Sequence, residues 1–201
     1  METKIVEFTN KDLIKCIQDG GVVAFPTETV YGLGCIASKE EAFEEMVRVK
    51  NRRPDKPFTL MLSSPNEIGK YAYINEKTQK LIDKYMPGEI TLLLKPKEHL
   101  PHWVTLSSKY IGVRVAGKEE VCTLIANVKE PMLVTSANIS GQVSNADFKG
   151  TYEVFNNKIP YIVDGETKSA VPSTIVICDE DIALVREGTI KFDEIKKTWE
   201  E

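Results

Sequence analysis

The sequence has 201 residues, 42% hydrophobic and 28% charged, with a formal net charge of −4. That length fits one domain, and that balance excludes both a disordered chain and a bilayer-spanning one. Apolar runs such as Gly21–Phe25 and Thr91–Leu94 are far too short to cross a membrane, and the acidic balance argues against binding nucleic acid over the whole surface while leaving room for a local basic pocket.

The first ten residues mix Glu2, Lys4 and Glu7 with apolar side chains. A secretory signal needs a basic start and an unbroken apolar run, so the expected compartment is the cytoplasm. Asn10–Asp19 reads as a helix with Leu13, Ile14 and Ile17 on one face, ended by Gly20 and Gly21. Val22–Phe25 is continuously apolar, as in a strand covered on both sides. Ser38–Glu41 has the capping-box pattern and opens a helix to about Lys50. Thr59–Leu62 follows as a strand, then a polar helical region at Glu67–Tyr85 stopped by Met86-Pro87-Gly88. Strands are expected at Ile90–Leu94, Ile111–Val115 and Met132–Thr135, with a helix at Lys118–Asn127. A helix at Tyr152–Asn157 precedes strands at Tyr161–Val163, Thr174–Cys178 and Ala183–Arg186, and the charged tail from Lys191 reads as helical. Interspersed strands and helices without repeat or linker predict one α/β domain over residues 1–201, built on an open mixed sheet.

Cys16, Cys35, Cys122 and Cys178 contain no Cys-x-x-Cys pair and are expected to be reduced thiols in or near the core. His99 and His102 sit in a Pro-flanked segment without an acidic or thiol neighbour, which suits a solvated loop better than a metal site. Two histidines also leave little for a Ser-His-Asp hydrolase.

Two phosphate-binding patterns are nearly matched and rejected on context. Gly32–Ala37 fits the dinucleotide glycine pattern, but Pro26–Tyr31 separates it from the strand and the helix starts only after Ser38. Gly112–Lys118 resembles a P-loop, but Glu119 stands where a magnesium-holding hydroxyl is needed.

The polar clusters that remain each lie at or just after the C-terminal end of an apolar strand, the edge where open α/β sheets bind ligands. Pro26–Gly34 carries two hydroxyls, a carboxylate and a phenol between proline and glycines; it reads equally as a polar turn. Lys50 continues the buried stripe of Phe43, Met46 and Val47, so it and Arg52 must find an anionic partner or stay in a wet cleft. Phosphate would satisfy both, whereas cations favoured by a helix C-terminus explain Arg48 and Arg53. Met132–Gly141 ends a strand in hydroxyls and an amide, which either cap a helix or bind phosphate or ribose.

Taken in order, Pro-Thr-Glu-Thr-x-Tyr-Gly-Leu-Gly from Pro26, Lys50-x-Arg52, Gly112-x-Arg114, Ser136-x-Asn138, Pro172-Ser173-Thr174 and Arg186-x-Gly188 resemble the YrdC family of threonylcarbamoyl-AMP synthases over residues 10–190. The resemblance implies a twisted open sheet with flanking helices and a large concave basic cavity. It implies an enzyme joining L-threonine, bicarbonate or CO2 and ATP, releasing pyrophosphate, for modification of a tRNA adenosine. Lys50 and Arg52 would then contact the ATP phosphates as the catalytic pair, with Ser136, Asn138, Ser173 and Arg186 completing the nucleotide pocket. Thr29 and Arg114, with Thr27 and Thr59, would hold threonine, Arg114 at its carboxylate. Magnesium would ride on ATP without a protein-ligated metal, and a separate complex would transfer the threonylcarbamoyl group; direct tRNA contact stays open. Longer relatives carry an additional C-terminal domain, and none is expected here. Arg53 replaces a proline common in relatives, with Pro54 one step later, and Ala116 replaces another. Phe58–Met61 and Val185–Gly188 look closer to the YciO branch. Two other readings stay open: a non-catalytic module binding nucleotide or structured RNA, and a YciO-like relative with another substrate.

Overall fold

The continuously apolar runs become interior strands of a single sheet. The computed structural model describes residues 2–53 and 55–201, so Pro54 lies outside it. The strands are β1 (Lys4–Val6), β2 (Val23–Pro26), β3 (Tyr31–Ile36), β4 (Thr59–Leu62), β5 (Ile90–Leu94), β6 (Ile111–Val115), β7 (Met132–Ser136), β8 (Tyr161–Val163), β9 (Thr174–Cys178) and β10 (Ile182–Arg186). They pair in the order β1-β8-β2-β3-β7-β4-β6-β5-β9-β10 as an open, mixed sheet. β4 runs parallel to β6 and β5 to β9, while β3 pairs antiparallel with both β2 and β7.

The helices are α1 (Lys11–Gln18), α2 (Glu40–Lys50), α3 (Ile68–Tyr71), α4 (Glu76–Tyr85), α5 (His102–Thr105), α6 (Glu119–Val128), α7 (Phe148–Phe155) and α8 (Phe192–Glu200). Asn10 caps α1 by accepting from the Asp12 and Leu13 amides. The expected capping box on α2 does not form: Lys39 is its N-cap, without a side-chain bond. The helix starts instead on the acidic first turn Glu40-Glu41, which its dipole favours. The single region expected at Glu67–Tyr85 is two helices, because Ala72 turns extended and bridges Pro96. Helix α7 begins four residues earlier than the spacing suggests, where Asp147 accepts from the Gly150 amide.

Register separates the two faces of the sheet. Leu60 lies opposite Val113 and Leu133, and with Leu62, Val115, Leu92 and Leu94 these side chains are almost wholly buried. Helix α6 contacts β4, and α1 and α2 contact β3. One residue out of phase, Thr59 lies opposite Gly112 and Val134, Met61 opposite Arg114, and Leu93 opposite Gly112. That second set lines a cavity.

Two strands escaped the sequence reading, the short β1 and the buried β3. Gly32 and Gly34 made β3 resemble a turn, but its glycines exist for close approach. A Cβ on Gly34 would lie 2.7 Å from Phe25 Cε1 and 2.8 Å from Met132 Cε. The Phe25 ring takes the space that a side chain on β3 would need.

Candidate active site

Seven adjacent strands, β3 through β10 in sheet order, bound an open cavity of about 400 Å³. Thr27, Thr29, Thr59, Arg52, Arg114, Ser136, Ser173 and Arg186 all line it. These residues lie far apart in sequence and converge because one face of the sheet presents them together. Thr27, Ser136 and Arg186 do sit at or just beyond strand ends, as expected. Thr59 and Arg114 depart from the expected C-terminal edge: Thr59 opens β4 at its N-terminal end and Arg114 lies within β6, so the site spreads over the sheet face.

The β2–β3 turn is locked by its own hydroxyls. Thr27 Oγ1 donates to the Val30 carbonyl at 2.7 Å and accepts from the Thr29 and Val30 amides. Its proton is thereby committed, so in the 2.9 Å contact between the two hydroxyls Thr29 is the donor. Thr29 Oγ1 then accepts from Arg114 Nη2 at 3.2 Å. Tyr31 donates to the carbonyls of Val163 and Gly165, tying the turn to β8.

Among the described residues three arginines reach the cavity, and no Asp or Glu lines it. Arg52 directs Nε to the Lys56 carbonyl and Nη2 to the Pro57 carbonyl, with its guanidinium 5.1 Å above the Phe58 ring. Arg186 directs Nε and Nη2 to the Ser173 carbonyl. Arg114 directs Nε to the Gly88 carbonyl and Nη2 to Glu28 Oε1 and Thr29 Oγ1. Each is held by one side of its guanidinium, and among the described residues none of the three Nη1 amines has a protein acceptor. Burial, joined by the neighbouring Arg114 charge, lowers the pKa of Arg186. Burial likewise lowers that of Arg52, against the opposing pull of Asp55.

Lys50 and Asn138 are brought together with Ser136, but behind the cavity wall. Lys50 is 2% exposed and its amine donates to Ser136 O at 2.5 Å, Asn138 O at 3.1 Å and Asn138 Oδ1 at 2.9 Å. All three ammonium protons are therefore spent on neutral oxygens, which is neither the anionic partner nor the wet cleft expected for this side chain. Burial, with the Arg52 charge adding to it, lowers the Lys50 pKa to about 8. Asn138 accepts also from Ser136 Oγ at 2.6 Å and donates to the carbonyls of Ile139 and Gln142. It organises a turn and caps no helix.

Thr91 and Tyr110 were absent from the sequence-derived site, and Glu28 and Gly112 stood in its motifs without an assigned role. Thr91 Oγ1 and Ser173 Oγ lie 2.9 Å apart, and Tyr110 donates to Asp179 at 2.7 Å. The available signal was a hydroxyl or glycine at alternate positions inside apolar strands, as at Thr91 and Gly112. The four cysteines are free, with Cys35 and Cys178 buried. Among the described residues no three His, Cys, Asp or Glu side chains converge as a metal cage. No helix among them is long and apolar enough to cross a membrane.

Residues 15–188 match the family model Sua5/YciO/YrdC, described as telomere recombination. A Methanocaldococcus jannaschii protein named putative threonylcarbamoyl-AMP synthase is 35% identical over 196 residues, 96% of this chain and 90% of that one. Pyrococcus abyssi Sua5, solved complexed with L-threonine, superposes with a TM-score of 0.91 at 32% identity, covering 98% of this chain. This chain spans only 61% of that longer one. Escherichia coli YciO superposes with a TM-score of 0.84 at 25% identity, covering 94% of this chain and 97% of its own.

Proposed function

The chain belongs to the Sua5/YciO/YrdC family, and from that premise we propose that it is an L-threonylcarbamoyladenylate synthase. It condenses L-threonine, bicarbonate-derived CO2 and ATP into threonylcarbamoyl-AMP and pyrophosphate. The observation that carries this reading is convergence: three arginines and several hydroxyls, from the sheet face and its adjoining loops, share one cavity without a lining carboxylate among the described residues.

The chemistry asks the protein for alignment and not for a nucleophile. The threonine amine adds to CO2 and loses a proton, giving a carbamate. A carbamate oxygen attacks the α-phosphorus of ATP, and the bond from that phosphorus to the bridging oxygen breaks as pyrophosphate leaves. Two anions must be held in line and the charge growing on the leaving group neutralised. Arg52 and Arg186, whose guanidiniums have no carboxylate bonded to them, are assigned to the phosphates, with Ser136 and Ser173 beside them. Arg114 takes the threonine carboxylate, and Thr27, Thr29 and Thr59 shape that end. Lys50 and Asn138 hold the Ser136 turn in place, so Lys50 serves the phosphate site by positioning. Magnesium arrives as part of the MgATP substrate and screens the phosphate charge.

The expected setting is the cytoplasm, upstream of a complex that transfers the threonylcarbamoyl group to tRNA. Incubation with isotopically labelled threonine, bicarbonate and ATP, read by mass, tests the reading. Threonylcarbamoyl-AMP with stoichiometric pyrophosphate supports it. ATP binding without turnover would return the chain to the binding-module class, and turnover only with another carbamoyl source would place it beside a YciO-like activity.

A further inference from the structure

The three cavity arginines are docked alike but balanced differently. Arg52 and Arg186 rest their guanidinium sides on neutral carbonyls. Arg114 rests on a carboxylate: Nη2 meets Glu28 Oε1 at 2.6 Å, with both side chains under a tenth exposed. Burial, the largest single influence, pushes the Glu28 carboxyl up, but the Arg114 charge together with hydrogen bonds from the Gly117 backbone and from Arg114 leaves Glu28 below the usual carboxylate range.

This pair is a poor stabilising device. The second carboxylate oxygen, Oε2, is buried and makes no hydrogen bond of ordinary geometry among the described residues, although the Gly117 backbone lies close enough to favour the ionised carboxyl. Desolvating a carboxylate and then leaving half of it unsatisfied costs about as much as the pair returns. Nor does the nearby chain need the side chain, since Lys168 and Ser169 bond the Glu28 backbone carbonyl. What the carboxylate does supply is a bonded counter-charge, which among the described residues Arg52 and Arg186 lack. A bare guanidinium at Arg114, close enough to Arg186 to depress its pKa, would extend the phosphate-attracting field across the whole cavity.

We infer that Glu28 determines specificity: it cancels the charge of Arg114, so that this end of the cavity takes a single carboxylate through the free Nη1 amine and leaves polyphosphate to Arg52 and Arg186. The inference rests on the assignment of Arg114 to the amino-acid carboxylate. Without Glu28, ATP or pyrophosphate competes for the amino-acid end.

Inorganic tripolyphosphate is the probe, with binding read by calorimetry at fixed low salt on wild type, Glu28→Gln and the double variant Glu28→Gln/Arg114→Gln. Glu28→Gln binds tripolyphosphate roughly tenfold more tightly than wild type, and tripolyphosphate becomes competitive with threonine. The double variant removes a net-neutral pair and returns to wild-type affinity within about twofold. Unchanged affinity in Glu28→Gln overturns the inference, as does a double variant about tenfold weaker than wild type, which would show Arg114 already holding phosphate. Should Glu28→Gln fail to fold, the double variant decides: wild-type affinity supports a charge-cancelled Arg114, and binding about tenfold weaker overturns it. Because this readout needs no turnover, its failure is distinct from that of the synthase reading, which would show as absent threonine-dependent pyrophosphate release in wild type.

Discussion

The cavity solves one problem, holding a guanidinium still, by two opposite electrostatic means. At Arg52 and at Arg186 the partners are backbone carbonyls, so both guanidiniums keep their full charge. At Arg114 the partners are a buried carboxylate, a hydroxyl and a carbonyl, so direction is kept while net charge is lost. A polyphosphate and a carboxylate differ in the same way, one recognised mainly by field and the other mainly by geometry. The contrast teaches that arginine count alone does not say what a cavity binds; the partner behind each guanidinium does.

Breaking the charged end has the largest expected effect. Arg52→Gln and Arg186→Gln each lower the maximal rate of pyrophosphate release on the order of 10²-fold, with circular dichroism unchanged, since each removes a preorganised cation facing the leaving group. Arg114→Gln sharpens the comparison from the other side. It raises the threonine KM roughly tenfold and moves the ATP KM by less than about threefold in steady-state assays.

Lys50→Met tests the wall shared by Ser136 and Asn138. It leaves three oxygens without their donor, and chemical denaturation should show a loss of about 2–4 kcal/mol. The pH dependence has a definite sign. With a folded pKa near 8, below the ordinary lysine value of 10.5, the unfolded chain binds more protons between those values. Wild-type stability relative to Lys50→Met therefore rises as pH climbs from 8 towards 10. A constant gap across that range would remove the buried-cation account. Gly112→Ala has the smallest expected effect. Its Cβ would meet Leu93 Cδ2 and Thr91 Cγ2 at 3.3 Å on the cavity floor, costing about 1–2 kcal/mol in thermal melts and weakening both substrates alike.

The alternating α/β class and most strands were legible because the runs Ile90–Leu94 and Ile111–Val115 are apolar enough to be recognised without their partners. Strand β3 was not, since its glycines answer to Phe25 and Met132, residues that only the pairing of β2, β3 and β7 brings near. The same holds for the site. Lys50, Arg52, Ser136 and Arg114 stood out as polar groups in or beside apolar runs. That Lys50 faces Asn138 and not the open cavity, and that Thr91 reaches Ser173, depends on register, which local sequence does not carry. Glu28 was visible as part of a polar turn, but its role appears only once β6 sets Arg114 against it.

The division of the cavity is tested most directly by crossed steady-state titrations on wild type, Arg114→Gln and Arg186→Gln, varying threonine at saturating ATP and ATP at saturating threonine. Two separate ends predict that Arg114→Gln shifts the threonine curve and Arg186→Gln the ATP curve, each sparing the other substrate. Equal displacement of both curves by either variant would contradict it.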